Sequence, residues 1–323
     1  MKLACLSVVL LIALGACVSS KNFSERVEQI YPPLGEFVSY KDVALHVIDR
    51  GDGSPVMMIH GASANAREYL LTLEPELSGE MVRLLIPDRP GHGYSGRPDE
   101  GFELGIQAEA MATILKAKAE EPVVIVGHSF GGAVALRLAL DHPELVKSVV
   151  LLAPVTHDWG DGGVAWYNRI AAFPLVGNVF SQFAPSVGPD MARTSLDRLF
   201  SPAPAPENYA DRMGVDLLFR PPTFRRNAAD VVNLKQQLAE QQKRYGEISV
   251  PVVVFSGAGD TVLKPKLHSA KLRRDAPEHV ILVKLADEGH MPQHGKAGLI
   301  SQTILRLAKG ESVQEADFET PNG

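Results

Sequence analysis

The chain has 323 residues, 45% of them hydrophobic and 22% charged, with a formal net charge of −6. This is an ordinary globular composition, and the length suits one large α/β domain with an inserted subdomain. The acidic balance and the lack of any basic stripe exclude nucleic-acid binding as a main role, and the sequence holds no internal repeat and no metal-ligand cluster of recognisable spacing.

The first segment reads as a targeting signal. Met1-Lys2 carries a positive charge, 3–14 is almost wholly apolar, and Leu14-Gly15-Ala16-Cys17 follows. Residues 1–16 therefore read as a short secretory signal, too brief to make a comfortable permanent membrane span. The Leu-Gly-Ala-Cys ending resembles the lipobox of bacterial lipoproteins, where small residues precede a cysteine that receives lipid and becomes the mature first residue. The resemblance implies lipidation at Cys17, a lipidated tether over 17–34 with Ser19–Glu28 as its polar part, and membrane attachment in the bacterial cell envelope. Val18 is not the aspartate associated with inner-membrane retention, which favours the outer membrane. An ordinary signal peptide with a chance cysteine is the competing account. Cys5 leaves with the signal, so Cys17 is the one mature cysteine and no intramolecular disulfide forms.

Next, Gly35–Tyr40 and Val43–Asp49 alternate apolar and polar residues around Lys41-Asp42, which predicts an antiparallel hairpin at one sheet edge. His46 falls on the polar side of that alternation and is expected at the surface. Val56–Ile59 and Val82–Asp88 read as buried strands. The first runs into His60-Gly61-Ala62-Ser63, the second into Arg89-Pro90-Gly91-His92-Gly93-Tyr94-Ser95. Residues 106–119 form an amphipathic helix. It feeds the strand Val123–Val126, a β-branched run of the kind found buried in parallel sheets.

That strand is followed by Gly127-His128-Ser129-Phe130-Gly131 and then by the helical run Ala133–Leu140, which ends before Pro143. Strand, G-x-S-x-G and helix in this order make a nucleophile elbow. A serine on so tight a turn is held in a strained backbone with its hydroxyl above the sheet. Glycines two residues either side avoid a Cβ clash. The helix N-terminus aims its free amides at the same place.

Val146–Ala153 is another buried strand. From 156 to 248 the alternation stops, and aromatic helical pieces (166–183, 209–219, 228–244) are broken by Pro-rich links such as Ser201–Pro206. This stretch reads as a helical cap in which Trp159, Trp166, Phe173, Phe180 and Phe183 are candidates for an apolar acyl pocket, two at most touching substrate. Val252–Ser256 resumes the sheet and leads into Gly257-Ala258-Gly259-Asp260. Val280–Leu285 is the last strand, followed by Gly289-His290. The polar, acidic stretch 310–323 reads as a disordered tail.

The elbow at Ser129, the His60-Gly61 loop, the Asp88–Ser95 run, Asp260 and His290 together resemble the α/β-hydrolase superfamily over roughly 37–307. The order serine, acid, histidine is characteristic of that family. The resemblance implies a mostly parallel eight-stranded sheet with helices on both faces, divided into a core over 35–155 and 249–309 and the inserted cap. It implies a triad of Ser129, Asp260 and His290, with backbone amides of Ala62 and Phe130 as the oxyanion hole. His92 and His294 are competitors for the base, whereas His268 lies in a predicted helix and is expected to be exposed. His60 is expected to be structural, and Asp88 with Arg89 to form a local polar network.

Serine in place of the aspartate used by epoxide hydrolases and haloalkane dehalogenases points to ester, thioester, amide or activated C–C cleavage. The implied activity is that of a serine esterase acting on a small apolar acyl substrate, with no cofactor and no metal expected. C–C hydrolysis of vinylogous diketones and a noncatalytic binding lipoprotein with this fold remain the alternatives. Nothing in the sequence fixes the oligomeric state.

Overall fold

The computed structural model describes residues 2–160 and 163–318. Eight strands form one sheet in the order β1-β2-β4-β3-β5-β6-β7-β8. They are β1 (Glu36–Tyr40), β2 (Val43–Arg50), β3 (Ser54–Ile59), β4 (Val82–Pro87), β5 (Val123–His128), β6 (Val146–Leu152), β7 (Val252–Gly257) and β8 (Val280–Leu285). β1 pairs antiparallel with β2, and β2 with β4, so the expected hairpin lies at one edge. All the remaining pairings are parallel.

The central strands are apolar on both faces because both are covered. Val124, Val126, Val150 and Phe255 pack with Leu73, Leu77, Ile300 and Ile304 on one side. Ile125, Val149, Leu151 and Val254 pack on the other against Met111, Leu115, Val134 and Leu138. These last four belong to helices α2 (Leu104–Lys118) and α3 (Phe130–Asp141), numbered after the N-terminal helix α1 (Lys2–Ile30).

Between β6 and β7 the chain leaves the sheet. This insertion carries α4 (Trp166–Ala172), α5 (Pro174–Phe180) and α6 (Ala184–Thr194) in close succession, then the short helices Leu196–Phe200 and Tyr209–Met213, and the longer α7 (Pro221–Gln241). Its core is a third cluster that includes Phe200, Tyr209, Met213, Phe219 and Phe224. Phe23 and Val27 of α1 are buried in that same cluster. The segment 19–28, expected as a polar tether, is therefore helical and packed. Two apolar residues four apart fall on one helix face, and the insertion offers them a partner. Among the described residues, no single helix is long and apolar enough to cross a membrane.

Three further expectations are corrected. His46 is 2% exposed, not at the surface, because its ring meets the buried Asp88 and accepts the Gly35 amide at 3.0 Å. His268 is likewise 2% exposed at the start of a short helix, where Nδ1 faces the amides of Thr156 and His157. The stretch expected as a tail is packed as far as 318: Val313 is buried and the Phe318 ring lies 5.8 Å from that of Phe255. Residues 319–323 of that stretch, like Met1 of the signal, lie outside the described residues.

Candidate active site

Ser129 stands between β5 and α3 with φ 50° and ψ −114°. A serine with positive φ is strained, and the surrounding backbone holds it there. A Cβ on Gly127 would lie 2.6 Å from the Gly131 carbonyl oxygen, and one on Gly131 would lie 2.0 Å from that of Ile59. Only glycine lets the elbow turn so tightly against β3.

Asp260 follows β7 and His290 follows β8, so all three candidates sit at the carboxyl ends of parallel strands of one sheet, with β6 between the serine's strand and the other two. His290 Nε2 is 3.1 Å from Ser129 Oγ, and His290 Nδ1 is 2.8 Å from Asp260 Oδ2. The other Asp260 oxygen accepts the amides of Val262 and Leu263, each at 2.8 Å. One carboxylate oxygen is thus spent on its own loop, and the other is aimed at the ring. The arrangement can draw a proton from the serine hydroxyl and stabilise the imidazolium that results.

The competing histidines are engaged elsewhere. His294 Nε2 meets Glu68 Oε1 at 3.0 Å. His92 is fully buried, 3.3 Å from Asn227 Oδ1 and 3.2 Å from an Arg89 nitrogen. His60 pairs Nδ1 with the Gly61 carbonyl, while Nε2 accepts the Arg89 amide at 3.0 Å. Burial, with Arg89 beside them, pushes both His60 and His92 well below the usual imidazole range.

No hydrogen bond among the described residues takes up the backbone amide of Ala62 or Phe130. Their loops are fixed by Arg89, which was expected only as part of a local network. Its guanidinium donates to the carbonyls of His60 at 3.0 Å and Gly61 at 3.2 Å, and lies 4.2 Å from the centre of the Phe130 ring. It also binds Gln107 and, at 2.8 Å, Asp230 of α7. One buried cation therefore ties the β3 loop, the elbow and the insertion together. The adjoining Asp88 bonds His46 and the amides of Ala66 and Tyr94. Burial alone would raise its carboxyl, but these bonds outweigh it and hold the group below the usual range.

Two residues beside the triad escaped the sequence reading. His128, inside the elbow motif, donates from Nε2 to the His290 carbonyl at 2.9 Å, and burial lowers its pKa to about 4. Glu68 is buried behind the His290 loop, bonded to His294, Tyr209 and Gln293. Burial pushes Glu68 up, but His294 and Tyr209 bring it below the ordinary value. His128 carried a signal of sorts, adjacency to the serine; Glu68 carried none.

The aromatic candidates do not gather at the serine. Trp166 and Phe173 lie on the outer surface, 67% and 60% exposed, and Phe183 is also exposed. Phe180 packs into the insertion core and Trp159 against the sheet. Cys17 is exposed on α1.

Comparison with known proteins adds to this geometry. The family described as alpha/beta hydrolase fold matches residues 54–297. The chain is 35% identical over 124 residues to 2-hydroxymuconate semialdehyde hydrolase of Pseudomonas sp. strain CF600, covering 38% of this chain and 44% of that one. It therefore spans less than half the length of that relative. It is 27% identical over 270 residues to the magnesium-chelatase 30 kDa subunit of Rhodobacter capsulatus, covering 82% of this chain and 90% of that one. Among solved structures, the esterase EaEST from Exiguobacterium antarcticum superposes with a TM-score of 0.67 at 19% identity, covering 85% of this chain and 99% of that one, a likeness of fold.

Proposed function

The chain belongs to the alpha/beta hydrolase fold family, and from that premise we propose that it is a serine hydrolase of carboxylic esters or related acyl bonds. The observation that carries this is the relay from Ser129 through His290 to Asp260, at 3.1 and 2.8 Å. Ser129 Oγ attacks the acyl carbon as His290 Nε2 removes its proton, giving a tetrahedral oxyanion. The amides of Ala62 and Phe130 hold that oxygen, an interaction worth roughly 3 kcal/mol per donor in such sites. Collapse expels the alcohol, which takes the proton back from His290, and leaves an acyl-enzyme. His290 then deprotonates water to release the acid. Asp260 orients the ring and balances its charge throughout.

The test is hydrolysis of p-nitrophenyl esters of graded acyl length by wild type and by Ser129→Ala. Turnover that falls at least about a thousandfold in the variant carries the mechanism, and the length profile sizes the pocket. Equal turnover in both proteins overturns it. The likeness to the semialdehyde hydrolase favours a second reading, hydrolysis of a C–C bond in a vinylogous diketone by the same serine. Turnover of such a diketone with no ester turnover selects it. Failure of both, with no labelling of folded protein by a fluorophosphonate, leaves the binding lipoprotein.

The same proposal holds the protein to the bacterial cell envelope by lipid on Cys17, after removal of 1–16. Mass spectrometry of the mature N-terminus tests it: a bare Cys17, or an N-terminus elsewhere, overturns the anchor.

A further inference from the structure

Large exposed apolar side chains are scattered singly on most protein surfaces. Here they concentrate on three successive helices of the insertion: Trp166 on α4, Leu175 and Val179 on α5, Val187 and Met191 on α6, with Phe173 between the first two. Leu175 is 80% exposed. Trp166–Ala172 and Pro174–Thr194 together have the length and hydropathy of a membrane span, but they meet at 112°. So bent, they do not make one straight crossing helix, and such a pair can lie along an apolar boundary.

The N-terminal helix shows which boundary. Its Ser20 Oγ lies 2.5 Å from Gln182 Oε1, beside Val179 and Phe183, while Phe23 and Val27 are buried in the insertion core. Cys17 is one turn before Ser20, and its carbonyl lies 3.0 Å from that hydroxyl. Whatever the N-terminus inserts into a membrane, acyl chains on Cys17 or an uncut apolar 3–14, is delivered next to this face. Cations border it as well. Half-buried Arg225 reaches Asn178 of α5, and Arg226 beside it is half-buried among Arg97, Arg220 and Arg225, a cluster of like charge. Lys21 and Arg169 are exposed on α1 and α4.

We propose that the face formed by 166–194 lies on the lipid bilayer that holds the N-terminus. Trp166, Leu175 and Val179 enter the headgroup–acyl boundary, and Arg225 and Arg226 meet anionic headgroups. The proposal rests on the anchoring described above and not on the hydrolytic chemistry.

The chain has two tryptophans, so Trp159→Phe leaves Trp166 as the sole reporter. The full chain, extracted from membranes, is reconstituted into phosphatidylcholine–phosphatidylglycerol vesicles with brominated or ordinary acyl chains. Flotation reads anchoring, and Trp166 emission reads docking. We expect emission at least about twofold weaker in brominated vesicles, because side chains at this depth meet the acyl segments. Leu175→Asp with Val179→Asp should restore emission while the protein still floats and still turns over a soluble ester. Floating protein with unquenched Trp166 overturns the docking, as does emission that shifts only with protein concentration, which assigns the face to a second copy. Protein that does not float overturns the anchor and this orientation with it. Equal quenching in pure phosphatidylcholine removes the headgroup role of the two arginines. Loss of ester turnover in wild type would count against the hydrolase reading alone.

Discussion

His128 donates from Nε2 to the carbonyl of His290, which leaves Nδ1 as a bare acceptor with no partner among the described residues. The ring is neutral near pH 7, since burial and the neighbouring His290 oppose a second proton and outweigh the pull of Glu68 and Asp260. Its work is to hold the backbone that carries the reacting imidazole. His128→Phe should therefore lower kcat about tenfold with little change in KM, the cost of one lost buried hydrogen bond felt at the reacting ring. A change confined to KM would show that His128 binds substrate instead. Arg89 has a wider reach. Arg89→Met frees the carbonyls of His60 and Gly61 and leaves Asp230 to Arg97 alone, and should cost about 3–5 kcal/mol in urea unfolding. Adding Asp230→Asn should recover part of that; no recovery would mean that the carbonyls, not the ion pair, dominate. The candidate residues Ser129, Asp260 and His290, which the fold brings together, could be picked out in the sequence because each stands in a short local pattern at a strand end. His46, His268 and Glu68 could not, because what buries them comes from distant chain and leaves no local pattern.

At the scale of elements, β3, β5, β6 and β7 were readable because strands covered on both faces carry near-continuous apolar runs, often β-branched, over their central residues. The insertion was readable only as helical, since its helices pack by shape and their aromatic residues mark both core and surface. Trp166 and Phe173 illustrate the limit: the same residue types that fill the cluster around Phe219 also stand outside it. α1 depends on such packing. Residues 17–30 alone make too short a helix to persist in water, so Phe23 and Val27 hold it, at about 1.5–3 kcal/mol each. Phe23→Asp with Val27→Asp should expose the segment to trypsin at Lys21 and Arg26 well before the rest of the folded chain. Unchanged cleavage would show that the helix stands without the insertion.

For the whole molecule, the buried neutral histidines set the response to acid. His128 and His268 titrate at about 4 in the fold, against 6.5 for an ordinary imidazole, chiefly because burial opposes their charge. Above pH 6.5 neither state gains protons. Below it the unfolded chain takes up protons that the native state refuses, so stability falls until pH passes about 4. His60 and His92, lowered further, extend the loss to more acid pH. Glu68 and Asp88 sit below the carboxylate range, so the stability they contribute is lost as pH falls below the ordinary carboxylate value. Tm should therefore drop between pH 6.5 and 4.5, and His268→Gln should flatten that drop; a flat profile in wild type would contradict the assignment. The long insertion has a consequence for biosynthesis too. β6 ends at Leu152 and its parallel partner β7 begins at Val252, with 100 residues of sequence position between them. At a ribosome moving about 5–20 residues per second, one apolar edge waits roughly 5–20 seconds for its neighbour. Through that interval the nascent first half presents the outer edge of β6 unpaired, and it is then, not in the finished fold, that the chain is most open to chaperones and to aggregation.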